Sequence, residues 1–139
     1  MSEIAMVKSL ILFFLYDDGI ENPALPSDEY IAVMLARNDF HVIVALENNQ
    51  VIGGLTAYEM KMFKRETTEM FLYEIGVVKS HRRKGIGKEL IEFLKKICVE
   101  KGIVEIFVGT SKGNLAARNL YASSGGEADE LSVWFSYKL

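Results

Sequence analysis

The apolar positions near the start of the chain follow the spacing of a helix. They are Ile4, Val7, Leu10, Ile11 and Phe14. Ser2 can cap this helix and Asp17-Asp18-Gly19 ends it, so the pattern predicts a helix that runs to about Tyr16. A second helix is predicted between a Ser27 cap and Asn38-Asp39, with acidic residues in its first turn.

The middle of the chain has the composition and alternation of strands. His41 to Glu47 and Val51 to Met60 flank the pair Asn48-Asn49, which predicts an antiparallel hairpin. Glu69 to Val78 is mostly apolar on both faces, as is typical of a central strand that is covered on both sides. Glu74 is therefore an ionisable group on a face that we expect to be dry.

The last third of the chain predicts a crossover and a final strand. A helix from Gly87 to Lys101 closes at Gly102, and a strand follows from Ile103 to Thr110. A strand, a helix and a strand of this length make a right-handed crossover between parallel neighbours. A short helix, Asn114 to Ser124, then leads to a last strand, Leu131 to Tyr137, which we expect to be antiparallel. The fold class is α/β, with a mixed central sheet flanked by helices.

Composition narrows the class of protein. The chain has 139 residues, half of them hydrophobic, and only two prolines, which predicts one domain over residues 1–139. The net charge of −3 argues against nucleic-acid binding and suits a cationic substrate.

The few reactive side chains narrow the class of protein further. The single cysteine, Cys98, lies on the apolar face of a predicted helix, excludes an internal disulfide and favours a cytoplasmic protein. With only His41 and His81, no histidine-rich metal site is expected. The apolar run Leu10 to Tyr16 is too short to span a membrane.

The segment Lys79 to Glu89 is rich in glycine and positive charge. Gly85 and Gly87 let backbone N–H groups converge at the positive end of a helix, which predicts a phosphate site. The alternative is a solvated basic turn that only caps the helix. The nucleotide-triphosphatase loop would need a glycine where this chain has Arg82, and the dinucleotide fingerprint would need one where it has Leu90. Neither motif therefore fits.

The pattern that remains is Arg82-x-x-Gly85-x-Gly87. It resembles the Arg/Gln-x-x-Gly-x-Gly/Ala loop with which N-acetyltransferases of the GNAT superfamily hold the pyrophosphate of acetyl-CoA. A second motif, Asn114-x-x-Ala117-x-x-Leu120-Tyr121-x-x-x-Gly125, resembles the segment after the fifth strand of the same enzymes. Two motifs in this order identify the chain as a member of that superfamily.

Within the superfamily, the chain is most similar to aminoglycoside 3-N-acetyltransferases. The similar segments are Pro26-Ser27-Asp28-x-Tyr30, Phe71-Leu72-Tyr73-Glu74-Ile75-Gly76-Val77 and His81-Arg82-Arg83-x-Gly85-Ile86. The GNAT fold begins with a strand, whereas here a helical pattern starts almost at Met1, so we expect the first strand to be missing, very short or replaced. A missing strand would leave a sheet edge that a second copy could cover, which makes a homodimer an expectation.

The resemblance implies a cleft for acetyl-CoA between splayed parallel strands, with Gly76 as a bulge that forces them apart. Backbone groups of Ile75 and Val77 would pair with the pantetheine arm, and an N–H there would polarise the thioester carbonyl. The residues implied to hold the pyrophosphate are Arg82, Arg83, Gly85, Ile86, Gly87 and Lys88.

Three further side chains are candidates for chemistry. Glu74 is the candidate general base, because burial would raise its pKa; the alternative is a carboxylate that pairs with a cation or holds the substrate. Tyr121 resembles the family's tyrosine that protonates the leaving thiolate, and the alternative is a core aromatic. Asn114 either hydrogen-bonds the cofactor arm or only caps its helix.

The sequence therefore predicts an N-acetyltransferase. Acetyl would pass from acetyl-CoA to a primary amine by direct attack, without a metal, and the expected acceptor is a small molecule similar to an aminoglycoside aminosugar. One alternative is another small amine, a polyamine or a protein amino group as acceptor. The other is an acyl-CoA-binding module without catalytic activity.

Overall fold

The computed structural model describes all 139 residues, which form two compact units, Met1–Gly109 and Thr110–Leu139. The helices of the first unit are α1 (Glu3–Asp17), α2 (Asp28–Leu35) and α3 (Ile86–Lys101), with a 3-10 turn at Lys79–His81. Its strands are β1 (Phe40–Glu47), β2 (Gln50–Lys61), β3 (Thr68–Val77) and β4 (Glu105–Phe107). The second unit contains α4 (Leu115–Ser123). No helix is long and apolar enough to cross a membrane.

The first two helices begin at the predicted caps. The hydroxyl of Ser2 accepts a hydrogen bond from the N–H of Ala5 at 3.1 Å, and that of Ser27 accepts one from Tyr30 at 3.1 Å. Each hydroxyl satisfies an N–H that has no acceptor within its helix. Both predicted helices are thus confirmed to within one to three residues at each end.

The sheet is mixed, with the strand order β1-β2-β3-β4. β1 pairs antiparallel with β2, β2 antiparallel with β3, and β3 parallel with β4. Asn48 and Asn49 both adopt positive φ, 49° and 62°, as the two-residue turn between β1 and β2 requires. The hairpin and the crossover through α3 are confirmed.

The helices α1 and α3 cover opposite faces of the sheet. A β-carbon at Gly54 would lie 2.8 Å from Leu10, and one at Gly76 would lie 2.8 Å from Phe13, so α1 packs directly on these glycines. On the other face, Nζ of Lys101 at the end of α3 donates a hydrogen bond to Oε2 of Glu59 in β2. The largest fully buried side chains are Leu10, Leu55, Met70, Leu72 and Leu94.

Two predicted strands differ in the structure. Of the segment Ile103 to Thr110, only Glu105–Phe107 is paired, and Leu131 to Tyr137 forms no strand at all. A strand needs a partner for its backbone groups, and no strand of the chain lies beyond β4 in the sheet. The prediction of a strand at Leu131 to Tyr137 is therefore wrong for the single chain.

The predicted bulge at Gly76 is also wrong. Thr56 pairs with Glu74 and Ala57 with Leu72, so the extra residue of β3 is Tyr73. Gly76 instead pairs regularly with Gly54 and leaves room for Phe13. The side chain of Tyr73 is exposed, so β3 is not covered along both faces as expected.

Candidate active site

The strands β3 and β4 separate beyond a short paired region. Their pairing ends at Phe71 and Phe107, whose rings stack with centroids 4.7 Å apart. From residue 72 onward, β3 has a neighbouring strand only on the β2 side. The N–H of Val78 donates to Ile52 of β2 at 2.8 Å, so alternation directs the backbone groups of Ile75 and Val77 toward the open side. The predicted splay is present, and its open edge includes both residues.

The loop after β3 presents backbone N–H groups at the start of α3. Arg83 and Gly85 both have positive φ, 62° and 83°, and Gly85 is the N-cap of α3. The first N–H groups of a helix have no acceptor within it and favour an anion. A β-carbon at Gly85 would contact nothing within 4 Å, so the space in front of the loop is open. Arg83, Lys84 and Lys88 are exposed around it.

Arg82 contacts protein groups on both sides of the loop. Its Nε donates to the carbonyl oxygen of Val77 at 2.8 Å, and its Nη2 donates to Oδ1 of Asp17 at 2.9 Å. Asp17 is the last residue of α1, and Val77 the last of β3. The guanidinium therefore ties the end of α1 to the open edge of β3.

His81 holds the other side of the same loop. Its Nε2 lies 2.6 Å from Oε2 of Glu47 at the end of β1, and its Nδ1 lies 2.9 Å from the hydroxyl of Ser80. The hydrogen bond to His81 lowers the pKa of Glu47. Sequence reasoning missed both contacts of the loop, because Glu47 is 34 residues from His81 and Asp17 is 65 residues from Arg82.

Glu74 is half-buried on the face of β3 that α1 covers. Burial raises its pKa, the charge of Asp18 raises it further, and a hydrogen bond from Thr56 at 3.4 Å opposes the shift. A carboxylate with a raised pKa is better matched to accepting a proton near neutral pH. Asp18 is the C-cap of α1. In the sequence it is only part of the signal that ends this helix, and no local pattern connects it to Glu74.

In the second unit, two predicted residues belong to α4. Oδ1 of Asn114 accepts a hydrogen bond from the N–H of Ala117 at 3.1 Å, so Asn114 caps this helix. Tyr121 is half-buried, and burial raises the pKa of its phenol. The phenol is therefore protonated at neutral pH and can donate a hydrogen bond or a proton.

The loop between β2 and β3 borders a cavity that is open to solvent and separate from Glu74. Residues 61–68 line this cavity, whose volume is about 470 Å³. Thr68 begins β3, whereas Glu74 lies six residues further along it, roughly 20 Å away at the rise of a strand. The cavity is thus at the opposite end of β3 from the open edge at Ile75 and Val77.

Residues 6–125 match the family described as "Acetyltransferase (GNAT) family", and the chain therefore belongs to this family. Acetyltransferases of the family use acetyl-CoA. In the structures of an aminoglycoside acetyltransferase, meta-AAC0020, from an uncultured soil metagenomic sample, that protein is in complex with trehalose or sisomicin. In the complex with trehalose, that protein is 33% identical to this chain and has a TM-score of 0.93. The match covers 99% of this chain and 90% of that chain.

Two curated relatives are also similar to this chain. Streptothricin acetyltransferase of Escherichia coli is 30% identical over 81% of this chain. GCN5-related N-acetyltransferase 7, a chloroplastic protein of Arabidopsis thaliana, is 36% identical over 42% of it. The matches span 56% of the bacterial relative and 22% of the plant relative.

Proposed function

We propose that this chain transfers an acetyl group from acetyl-CoA to a primary amine of a small cationic molecule similar to an aminoglycoside. The observation that carries the proposal is the half-buried Glu74, which precedes the open edge of β3 and the anion-binding loop on one continuous segment. Along the chain, this segment carries first a proton acceptor, then a sheet edge that can pair with an amide-bearing arm, and then a phosphate site. The reaction requires these three groups in this order.

The geometry of the first unit fits acetyl-CoA. Ile75 and Val77 would hydrogen-bond the pantetheine arm through their backbone. The pyrophosphate would lie in front of Gly85, where no atom is within 4 Å of an added β-carbon. The other residues that would hold the pyrophosphate are Arg83, Ile86, Gly87 and Lys88. Arg82 would contribute mainly by positioning the loop, because Val77 and Asp17 already bind its guanidinium. When bound, acetyl-CoA supplies the activated acetyl thioester.

Glu74 would take a proton from the ammonium group of the acceptor. An ammonium nitrogen has no lone pair, so it must lose a proton before it can form the new N–C bond. Asp18 would help by attracting the cation and by keeping the pKa of Glu74 high. Tyr121 would protonate the departing sulfur, and Asn114 would position α4 through its cap.

Two facts support a cationic aminosugar as the acceptor. Glu74 and Asp18 are close enough for their charges to interact, and two acids that form no ion pair within the protein favour a substrate with several ammonium groups. The relative from soil metagenomic DNA, which shares 32% identity in its sisomicin complex, binds such a molecule.

The test is the release of free CoA thiol from acetyl-CoA across a panel of aminoglycosides, polyamines, amino acids and short peptides. We expect turnover with aminoglycosides that is lost in Glu74→Gln. Turnover confined to polyamines or peptides would reject the aminosugar and keep the acetyl transfer. Binding of acetyl-CoA without turnover on any acceptor would instead favour a non-catalytic acyl-CoA-binding module.

We further propose that residues 1–139 act as one acetyltransferase domain, as a homodimer and in the cytoplasm. The compartment is supported by Cys98, a buried free thiol. Fractionation of cells that produce the protein tests the compartment, and the molar mass of the purified protein, measured by light scattering, tests the dimer.

A further inference from the structure

The β-bulge at Tyr73 places two neighbouring residues of β3 on the same face of the sheet. In a regular strand, Tyr73 and Glu74 would point to opposite faces. Glu74 pairs with Thr56 of β2 on the face that α1 covers. The ring of Tyr73 lies 5.9 Å from that of Tyr58, which is two residues from Thr56 and therefore on this same face. The bulge thus brings an aromatic ring to the side of the candidate base.

Neighbouring aromatic rings hold Tyr73 in place. The rings of Tyr58 and Phe71 lie nearly perpendicular to it, at 82° and 84°, with centroids 5.9 and 5.6 Å away. Such edge-to-face contacts are a favourable arrangement of aromatic rings. Tyr58 is itself packed against Phe40, with ring centroids 4.9 Å apart. Tyr73 is nevertheless 58% exposed, so its ring is supported by the protein and still open to a ligand.

The face that carries Tyr73 also carries negative charge. Burial raises the pKa of Tyr58, the charge of Arg37 lowers it and the charge of Glu74 raises it, so the carboxyl group of Glu74 lies near these rings. Asp18 acts on Glu74 from the end of α1. Carboxylates beside an exposed aromatic ring suit a molecule that has both ammonium groups and apolar carbon surface. An aminosugar has both, because its ring carbons present C–H bonds on a flat face.

We propose that Tyr73 determines acceptor specificity by stacking against the sugar ring that bears the reacting amine. The inference rests on the proposed function, because it takes Glu74 as the group that receives the amine. Neighbouring Cα atoms are about 3.8 Å apart, so the carbon atoms next to an amine at Glu74 would lie close to Tyr73. A rigid ring loses little conformational freedom on stacking, whereas a flexible chain loses more. Tyr73 would therefore favour aminosugars over acyclic polyamines.

The first test compares the aminoglycoside sisomicin with the acyclic polyamine spermidine as acceptors. Tyr73→Leu keeps an apolar side chain but removes the flat ring. It should raise the KM for sisomicin about 4- to 15-fold, which corresponds to the loss of one or two buried CH₂ groups. The kcat, the KM for acetyl-CoA and the kcat/KM for spermidine should stay near their wild-type values. An equal loss with both acceptors would overturn the proposal, because the effect would then be general.

Matched variants separate the ring of Tyr73 from its other contributions. Tyr73→Phe keeps the aromatic surface and should retain the wild-type KM for sisomicin; a loss as large as in Tyr73→Leu would assign the effect to the hydroxyl group and contradict stacking. Phe93→Leu removes a ring that is 54% exposed on α3, at the other face of the sheet, and should affect neither acceptor. Circular dichroism checks that each variant is folded, and Tyr73→Met replaces Tyr73→Leu in the comparison if the latter is not.

Binding without turnover separates this inference from the proposed activity. Calorimetry measures the Kd of sisomicin and of spermidine for the protein with CoA but without an acetyl donor. Sisomicin binding that weakens about 4- to 15-fold in Tyr73→Leu would support the role of Tyr73 even if no acetyl group is transferred. Turnover of sisomicin that is unchanged in Tyr73→Leu would keep the proposed activity and overturn the inference. Wild-type protein that binds neither molecule would overturn it as well.

Discussion

At Glu74, two effects raise the pKa and one lowers it. Burial and the charge of Asp18 favour the protonated carboxyl, whereas the hydroxyl of Thr56 favours the carboxylate. The hydrogen bond is long, at 3.4 Å, and is therefore weak. The net result is a carboxyl group whose pKa lies above the ordinary value for glutamate, as a general base requires.

Glu74→Gln should reduce turnover roughly 10²- to 10⁴-fold while acetyl-CoA still binds, because glutamine cannot accept the proton of the ammonium group. If Glu74 is the base, its carboxylate is the active form, and wild-type activity should fall as the pH drops through the raised pKa. The pH–rate profile measures this, and Glu69→Gln at the far end of β3 is the control. A profile that is unchanged in Glu74→Gln would remove Glu74 as the base.

Asp18→Asn should shift the acidic limb of the pH–rate profile to lower pH. Removal of the negative charge leaves burial as the one effect that raises the pKa of Glu74. Glu21→Gln removes a carboxylate from the same connection between α1 and α2 and should leave the limb in place. If both variants shift the limb equally, general charge rather than the proximity of Asp18 is responsible.

Arg82 should act as a positioning residue for the loop. Arg82→Gln and Asp17→Asn should each raise the KM for acetyl-CoA, and the double variant should be no worse than the poorer single variant. The pair is about half exposed, so an effect of about 0.2–1 kcal/mol is expected, up to roughly fivefold in KM. Steady-state kinetics of the four proteins measure this coupling.

The control for these variants is Asp28→Asn. This change breaks the exposed ion pair between Asp28 and Lys8, which are 2.8 Å apart. Lys8 lies on α1, as Asp17 does, but away from the loop. Its KM for acetyl-CoA should not change. If Asp17→Asn also has no effect while Arg82→Gln raises KM strongly, Arg82 contacts the phosphates directly.

At the scale of elements, α3 begins and ends on a glycine in the left-handed conformation. The φ angles of Gly85 and Gly102 are 83° and 71°, and neither has an atom within 4 Å of an added β-carbon. The two positions therefore carry the same backbone strain on substitution, but only Gly85 lies at the N-terminal end of α3, where the phosphate site is proposed.

Alanine at either position should lower the free energy of unfolding by about 1–2 kcal/mol, because a left-handed residue with a β-carbon is strained. Only Gly85→Ala should also weaken acetyl-CoA binding, measured by calorimetry. Equal loss of binding in Gly102→Ala would mean that the effect comes from the stability of α3 and not from the loop.

Strands depend on their surroundings more than helices do in this protein. The helices α1 and α2 begin at serine caps three residues from the N–H groups that they bind, so local sequence was enough to predict them. The segments Ile103 to Thr110 and Leu131 to Tyr137 have equally clear strand patterns, yet only Glu105–Phe107 of the first is paired and the second forms no strand. The pattern of a strand therefore predicts a side-chain arrangement and not the presence of a neighbour.

For the first unit as a whole, Glu59 connects the sheet to the end of α3. Its Oε2 lies 2.6 Å from Nε2 of His41 and 2.5 Å from Nζ of Lys101. Burial raises the pKa of Glu59, but the hydrogen bonds from Lys101 and His41 outweigh burial, and the pKa is lowered from its ordinary value of 4.5. The charged form is thus stabilised by folding.

The stability that the charged form of Glu59 contributes should be complete above pH 4.5, the ordinary pKa of this carboxyl in the unfolded chain. It should be lost as the pH falls through the lowered pKa of the folded state. Glu59→Gln should therefore reduce the unfolding free energy at pH 7 by about 1–3 kcal/mol and flatten its decline in acid. Denaturant titrations between pH 3 and 7 measure this, with the exposed Glu100→Gln as control. Parallel pH curves for Glu59→Gln and wild type would contradict it.

The helices, the hairpin, the crossover and the glycine loop could be predicted from the sequence, because caps, turns and positive φ depend on residues a few positions apart. It also pointed to Glu74 through its place in an apolar strand. The groups that surround that loop and that carboxylate could be identified only in the folded chain. Asp17, Asp18 and Glu47 contact or influence residues far along the chain, and contacts of that kind leave no periodic signal in a single sequence. The short β4 and the absence of a strand at Leu131 to Tyr137 belong to the same class, since the pairing of a strand depends on residues far along the chain.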